Sequence, residues 1–236
     1  MLLALYGSPA RGLESKSSHT DFVSDADREA EARLVALLRE HRPEDGVLGE
    51  EGAETRGTSG RRWVIDPLDG TTNFLHGIPI WSVSIALEDA DGALVAAVLA
   101  PTFDERWVAE RGRGCTLDGS AVTVSDVDRL DRALVATGFQ YLPAVRARQA
   151  QVLTRVLPRV ADVRRGGSAA LDLAWLACGR LDGFFEIGLS HWDSAAGALL
   201  VSEAGGEVRA LASDPPGLVA AGRGLIAELE ELVREG

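Results

Sequence analysis

The sequence predicts a layered α/β protein whose first half is built mainly on an antiparallel sheet and whose second half alternates strands with helices. Three observations predict it. Apolar, strand-like runs between Trp63 and Glu110 follow one another through short turns, as in a meander. A capped helix precedes them and can cover one face of the sheet they form. Beyond residues 125–131, rich in Asp and Arg, strand-like runs are separated by segments of helical length. That stretch divides the chain into halves 1–128 and 129–236.

Each element has a local reason. Ser24 and Asp27 stand as N-cap and N3 of a capping box. The helix they start turns Leu34, Val35, Leu37 and Leu38 inward and ends before Arg42-Pro43. Val47-Leu48-Gly49 leads to the acidic pair Glu50-Glu51, and residues 53–60 form a polar, mobile Gly/Thr/Ser loop. Trp63-Val64-Ile65 reads as a buried strand that stops at Asp66-Pro67, because proline cannot donate to a ladder. Residues 80–87 alternate like a strand, Asp89-Ala90-Asp91-Gly92 turns the chain, and residues 93–99 answer. Arg106 to Glu110 continues the meander. In the second half, residues 133–137 and 181–187 read as strands and 142–157 as a loose helix. Gly166-Gly167-Ser168 opens a helix over 169–178 that points Leu171, Trp175 and Leu176 to the core. A last helix runs from Asp193 through Ala204, closed by Gly205-Gly206.

Composition narrows the functional classes. The 236 residues are 46% apolar with a formal charge of −12, from 36 acids against 24 Lys and Arg. That charge disfavours nonspecific contact with nucleic acid or an anionic membrane. No apolar run has membrane length. Cys115 and Cys178 form no CxxC, which fits a reduced cytoplasm and gives no structural zinc site. His19, His41, His76 and His191 make no HxH or HxxxH pair. There is no GxGxxG, no GxxxxGK[ST] and no GxSxG, so dinucleotide, P-loop and serine-hydrolase chemistry lack support.

What remains is a set of acids. Asp66 and Asp69 sit three residues apart at a strand end, followed by Gly70-Thr71-Thr72. Such a sequence is often only a surface turn. Hard oxygen ligands on a rigid turn also suit Mg²⁺, and free N–H groups after Gly70 can hold a phosphate oxygen. A cluster of divalent cations would reconcile an acidic chain with an anionic substrate.

The run Asp66-Pro67-Leu68-Asp69-Gly70-Thr71-Thr72-Asn73-Phe74 resembles the central motif of the inositol monophosphatase family of Mg²⁺-dependent, lithium-sensitive phosphatases. Gly49-Glu50-Glu51 resembles its upstream acidic motif, and His191-Trp192-Asp193-Ser194-Ala195-Ala196-Gly197 its C-terminal one. Lys16 with residues 21–27 resembles its N-terminal motif. The likeness implies an αβαβα sandwich, and a longer helix ahead of Lys16 than residues 1–6 can form. It implies two or three Mg²⁺ ions, one held by Glu50, Asp66 and the Leu68 carbonyl. A second would be held by Asp66, Asp69 and Asp193, with Asp27 near the metals. Thr71, with Glu50, would orient the attacking water; read from the residues alone, Thr71 is a helix N-cap and Asp193 a helix-start acid. Glu186 would contact substrate hydroxyls, with Gly70, Gly167, Ser168 and Ala169 lining the pocket. By itself Glu186 reads equally well as a solvated strand-end acid.

The resemblance implies hydrolysis of a small phosphorylated polyol or alcohol, inositol 1-phosphate first, by a cytoplasmic enzyme of homodimeric habit. Histidinol phosphate is the runner-up, with sugar bisphosphates and 3′-phosphoadenosine phosphates behind it. Thr72-Asn73-Phe74 leans to the inositol branch, since lysine commonly follows Asp-Gly-Thr in the histidinol- and nucleotide-directed branches. An inactive interaction protein is least favoured, because no ligand position is lost.

Overall fold

The computed structural model describes residues 1–8, 12–16 and 22–234; His19 and Asp21 lie outside the described residues. Helix Asp25–His41 starts from the expected capping box, in which the Ser24 N–H donates to Asp27 Oδ2 at 2.9 Å. It packs Val35 against Val47 and Ile65, and Ala26 and Ala30 against Leu68, Phe74 and Trp81. Those partners belong to one face of an eight-stranded sheet and the turn beside it.

The sheet runs in the order Ser120–Val122, Gly114–Leu117, Glu105–Glu110, Gly92–Ala100, Ser82–Asp89, Arg62–Asp69, Gly46–Gly49, Glu54–Thr55. Its pairs are antiparallel except Gly46–Gly49 with Arg62–Asp69, which is parallel. The opposite face, through Val64, Ala86, Val98 and Trp107, meets helices Ala169–Ala177 and His191–Glu203. These two helices cross closely because position 197 is glycine; a Cβ there would come within 2.6 Å of Leu173. Their other side covers Ala136, Phe184 and Ala220 of a five-stranded sheet.

That sheet is ordered Asp162–Arg164, Leu134–Thr137, Gly183–Ile187, Gly217–Gly222, Gly206–Leu211. Alternation along its strands sends Val135, Phe185 and Val219 to the far face. There they bury against Val145, Val152 and Val156 of helix Pro143–Val156 and Ile226, Leu229 and Val233 of helix Ile226–Val233. The layers are α, β, α, β, α, as the fold class expected.

Several local expectations need correction. The strand does not stop at Pro67 but runs Arg62–Asp69, through a register shift in which Asp66 faces Ser84 and Asp69 faces Ser82. Three steps on one strand oppose two on the other, so a bulge absorbs the proline without breaking the ladder. Leu37 is not in the core; it is 53% exposed, one residue off the stripe that buries Val35. Trp175 does pack against the core as expected, but only half-buried, edge-on to Phe103 with ring centroids 5.8 Å apart. The polar loop 53–60 contributes the edge strand Glu54–Thr55. The second sheet is mixed, because its last two strands form an antiparallel hairpin that no helix separates.

Ile65 is fully buried between sheet and helix while Leu37 faces solvent. Ile65→Ala should therefore cost about 2–5 kcal/mol, and Leu37→Glu should stay within about 0.5 kcal/mol of the wild type. Urea unfolding of both variants tests the assignment of faces.

Candidate active site

Between the ends of the two sheets lies a cavity of about 410 Å³. Glu50, Asp66, Leu68, Asp69, Gly70, Thr71, Gly167, Ser168, Ala169, Glu186 and Asp193 all line it. Residues far apart in the sequence are thus brought to one place, and each arrives by a local device.

Glu50 follows strand Gly46–Gly49, and its N–H donates to Ile65 O at 3.2 Å. The bulge delivers Asp66 and Asp69, and the Leu68 N–H closes back on Asp66 Oδ1 at 3.0 Å. Gly70 then takes φ +95°, where a Cβ would also meet Ile80 O at 3.0 Å and Gly167 O at 3.2 Å. Only glycine fits both the backbone angle and the approach. Gly70, not Thr71, is the N-cap of the short helix Thr71–Leu75, so the capping reading of Thr71 fails. The Thr71 hydroxyl instead faces two acceptors, Asp27 Oδ1 at 2.8 Å and Leu68 O at 3.0 Å.

Asp69 is held from the other sheet's side of the cavity. Its Oδ2 accepts from Ser168 Oγ and the Ala170 N–H, both at 2.7 Å. Ser168 is the N-cap of helix Ala169–Ala177, whose positive end therefore meets the carboxylate. Asn73 Nδ2 donates to Ile80 O at 2.6 Å and to Gly166 O at 2.9 Å, tying the central motif to that loop. Asp193 is the N3 residue of helix His191–Glu203, and its Oδ2 accepts the Ser190 N–H at 2.7 Å. The helix-start role of Asp193 is therefore present, and it leaves Oδ1 outside that bond. Glu186 is the penultimate residue of strand Gly183–Ile187, its carboxyl pressed on Gly138, where a Cβ would come within 2.1 Å of Oε2.

The acids resist one another's ionisation. Burial, then the charges of Glu50, Asp69 and Asp193, raise the pKa of Asp66 well above the carboxylate range. Burial, then Asp69 and Glu50, does the same to Asp193. Asp69 is pushed up to about 6 by burial, against its bonds to Ser168 and Ala170. Burial raises Glu186 to about 8, opposed by Arg165 and helped by Asp172 and Asp69. Lys16 Nζ lies 2.9 Å from Glu50 Oε1 and 2.6 Å from Glu51 Oε1. Burial works against its charge, yet the two glutamates outweigh that and raise its pKa.

The donor set is all oxygen and suits a hard divalent cation. Among the described residues, no three His, Cys, Asp or Glu side chains are already closed into a ligand shell. Glu50 engages Lys16 and Asp66, so holding a metal requires its carboxylate to turn. Sequence reasoning missed Arg165 and Asp172, which also line the cavity. A signal for Asp172 was available, because it is the only polar residue of helix Ala169–Ala177.

Comparison with known proteins supplies the lineage. The sequence model of the inositol monophosphatase family matches residues 2–235. An inositol-1-monophosphatase of Rhizobium meliloti is 48% identical over 188 residues, 79% of this chain and 71% of the relative. A protein of Pseudomonas aeruginosa named Nus factor SuhB is 46% identical, over 80% of this chain and 72% of its own. The crystal structure of the extragenic suppressor protein suhB of Bartonella henselae superposes with a TM-score of 0.93 at 40% identity, covering 100% of this chain and 93% of that one. An IMPase of Thermotoga maritima gives 0.89 at 32% identity, covering 98% and 90%. The chain belongs to the inositol monophosphatase family of metal-dependent phosphatases.

Proposed function

We propose that this chain is a Mg²⁺-dependent phosphatase of a small polyol phosphate, inositol 1-phosphate in the first instance. The observation that carries the reading is the crowding of Glu50, Asp66, Asp69 and Asp193 on one cavity, where Glu50, Asp69 and Asp193 raise the pKa of Asp66, and Asp69 and Glu50 that of Asp193. Buried like charges at that range call for a cation. Glu50, Asp66 and the Leu68 carbonyl would hold one Mg²⁺, and Asp66, Asp69 and Asp193 a second, with room for a third. Bound there, the ions would acidify a water and stabilise the departing oxygen.

The protein's own groups do the rest. Thr71, donating to Asp27, leaves its oxygen lone pairs to accept from a water, and with Glu50 it orients that water for attack in line. Gly70 and the segment Gly167-Ser168-Ala169 border the phosphate, with the first turn of helix Ala169–Ala177 favouring its charge. Glu186, at the other wall, receives the hydroxyls of the leaving alcohol. The reading divides the ligands between halves 1–128 and 129–236 and places the enzyme in the cytoplasm, in keeping with two unpaired cysteines. The Nus name belongs to relatives; here a charge of −12 opposes direct contact with nucleic acid. No described helix is long and apolar enough to cross a membrane.

Phosphate release from inositol 1-phosphate should require Mg²⁺, stop with chelator, and be inhibited by Li⁺. Undiminished release in excess EDTA would overturn the metal assignment. Asp193→Asn removes a full charge from the site and should lower kcat at least about a hundredfold. If kcat stays near normal while the melting point drops, Asp193 is a helix cap alone. Glu186→Gln should lower kcat/KM on inositol 1-phosphate more than on p-nitrophenyl phosphate.

The acids also set a pH dependence. The folded protein holds protons on Asp66 that the unfolded chain releases above about pH 4, so its stability falls as pH rises from there. In chelator, Asp66→Asn should gain stability over the wild type as pH rises from about 4 to 8. Thermal melts of both proteins across that range measure it, and a constant difference would show that Asp66 titrates normally.

A further inference from the structure

Helix Ala169–Ala177 reads AALDLAWLA, apolar at every position but one. The exception, Asp172, is 2% exposed and stands in the cavity wall with Glu186 and Arg165. Its Oδ1 is closed off from solvent and accepts no hydrogen bond. The Gly166 N–H faces the carboxyl and favours its charged form without closing a bond on Oδ1. The chain makes room for this group: a Cβ at residue 166 would come within 2.4 Å of Oδ1. Glu186 is lodged in the same way against Gly138. A helix needed only for packing would carry another Leu or Ala here, because a buried acceptor without a partner destabilises the fold.

We propose that Asp172 is a second specificity-determining residue of the pocket, taking up a hydroxyl of the leaving alcohol on the wall beside Glu186. Resting on the phosphatase reading above, this selects phosphate monoesters of neutral polyols with hydroxyls enough to reach both carboxyls. Oδ1 rests against Gly166 rather than in the open cavity, so it is satisfied when the carboxyl turns from that backbone to an entering hydroxyl, and a site built that way discriminates strongly against alcohols that lack one. The electrostatics of this end agree. Burial and then the charge of Asp69 raise Asp172 to about 8, with Arg165 and Gly166 opposing. Burial raises Glu186 to a similar value. At neutral pH both carboxyls therefore hold their protons for much of the time and can donate as well as accept. Arg165 adds a positive charge facing both. An ammonium-bearing alcohol finds no net negative charge at this wall, whereas a polyol finds two hydrogen-bonding partners.

The test uses full-length Asp172→Asn and Asp172→Leu in Mg²⁺, with kcat and KM on inositol 1-phosphate and on p-nitrophenyl phosphate, and a thermal melt of each. Both variants should lose at least about tenfold more in kcat/KM on the polyol ester than on the aryl ester, mainly through KM. Asp172→Leu should melt no lower than the wild type, since the orphaned carboxyl is gone. Equal losses on both esters would overturn the inference and leave the phosphatase reading standing. So would a Leu variant that melts lower with an unchanged substrate ratio. If the Leu variant does not fold, the nearly isosteric Asn variant decides through the ratio alone. A wild type that prefers histidinol phosphate would overturn the selection of neutral polyols. Inactivity on every ester would overturn the phosphatase reading and this inference together.

Discussion

Carboxylates that would separate in water are held together here, and much of the surrounding structure exists to hold them. Asp66 is buried with Glu50, Asp69 and Asp193 all acting to keep its proton on. Repulsion of that kind would swing free side chains apart, so each is tied. Asp66 is tied by the Leu68 N–H, Asp69 by Ser168 and Ala170, and Asp193 by the Ser190 N–H. All of these ties except the Ser168 hydroxyl's come from the backbone, so they survive changes in neighbouring side chains. Crowding of this kind is destabilising for the chain.

The bulge at Asp66–Asp69 is what makes the crowding possible. In a regular strand residues 66 and 69 would point to opposite faces. The extra residue in the register re-aims one of them, and Pro67 costs no ladder bond at an irregular position. Gly70 then reverses direction within touching distance of Ile80 and Gly167. A larger residue there would push the two sheets' ends apart at the cavity itself.

Much of this was legible in the residues. The capping box, the meander and the helix opened by Ser168 followed from local chemistry and hold in the structure. The stop at Pro67 was misread because proline's missing donor matters only where the ladder needs one, and a bulge is invisible to period-2 counting. Leu37 was placed inside because a helix rich in leucine does not say which turn faces the sheet. The acids were found by motif, which names residues without saying what anchors them. Arg165 and Asp172 were missed since neither belongs to a motif. For Asp172 the signal is a single charge in an otherwise apolar helix, which belongs to no motif.

The ties differ in strength across the site, and the difference is physical. Asp69 is fixed by bonds reaching across both sheets, reinforced by Asn73 to Gly166 and by Ser82 Oγ and Ser168 Oγ at 3.1 Å. These are short, buried or half-buried contacts that water cannot easily replace. Glu50 is held quite differently, through an ion pair with the ammonium of Lys16 on a segment outside both large sheets. Lys16 is thus a cation of the protein's own among these acids, compensating Glu50 and Glu51 as Arg165 faces Asp172 and Glu186. Asp69 and Asp193 are positioned by bonds to the helix starts of the second half, whereas Glu50 is paired with a lysine. One side of the cavity is thus built on hydrogen bonds to backbone and hydroxyl groups, and the other on a charge pair.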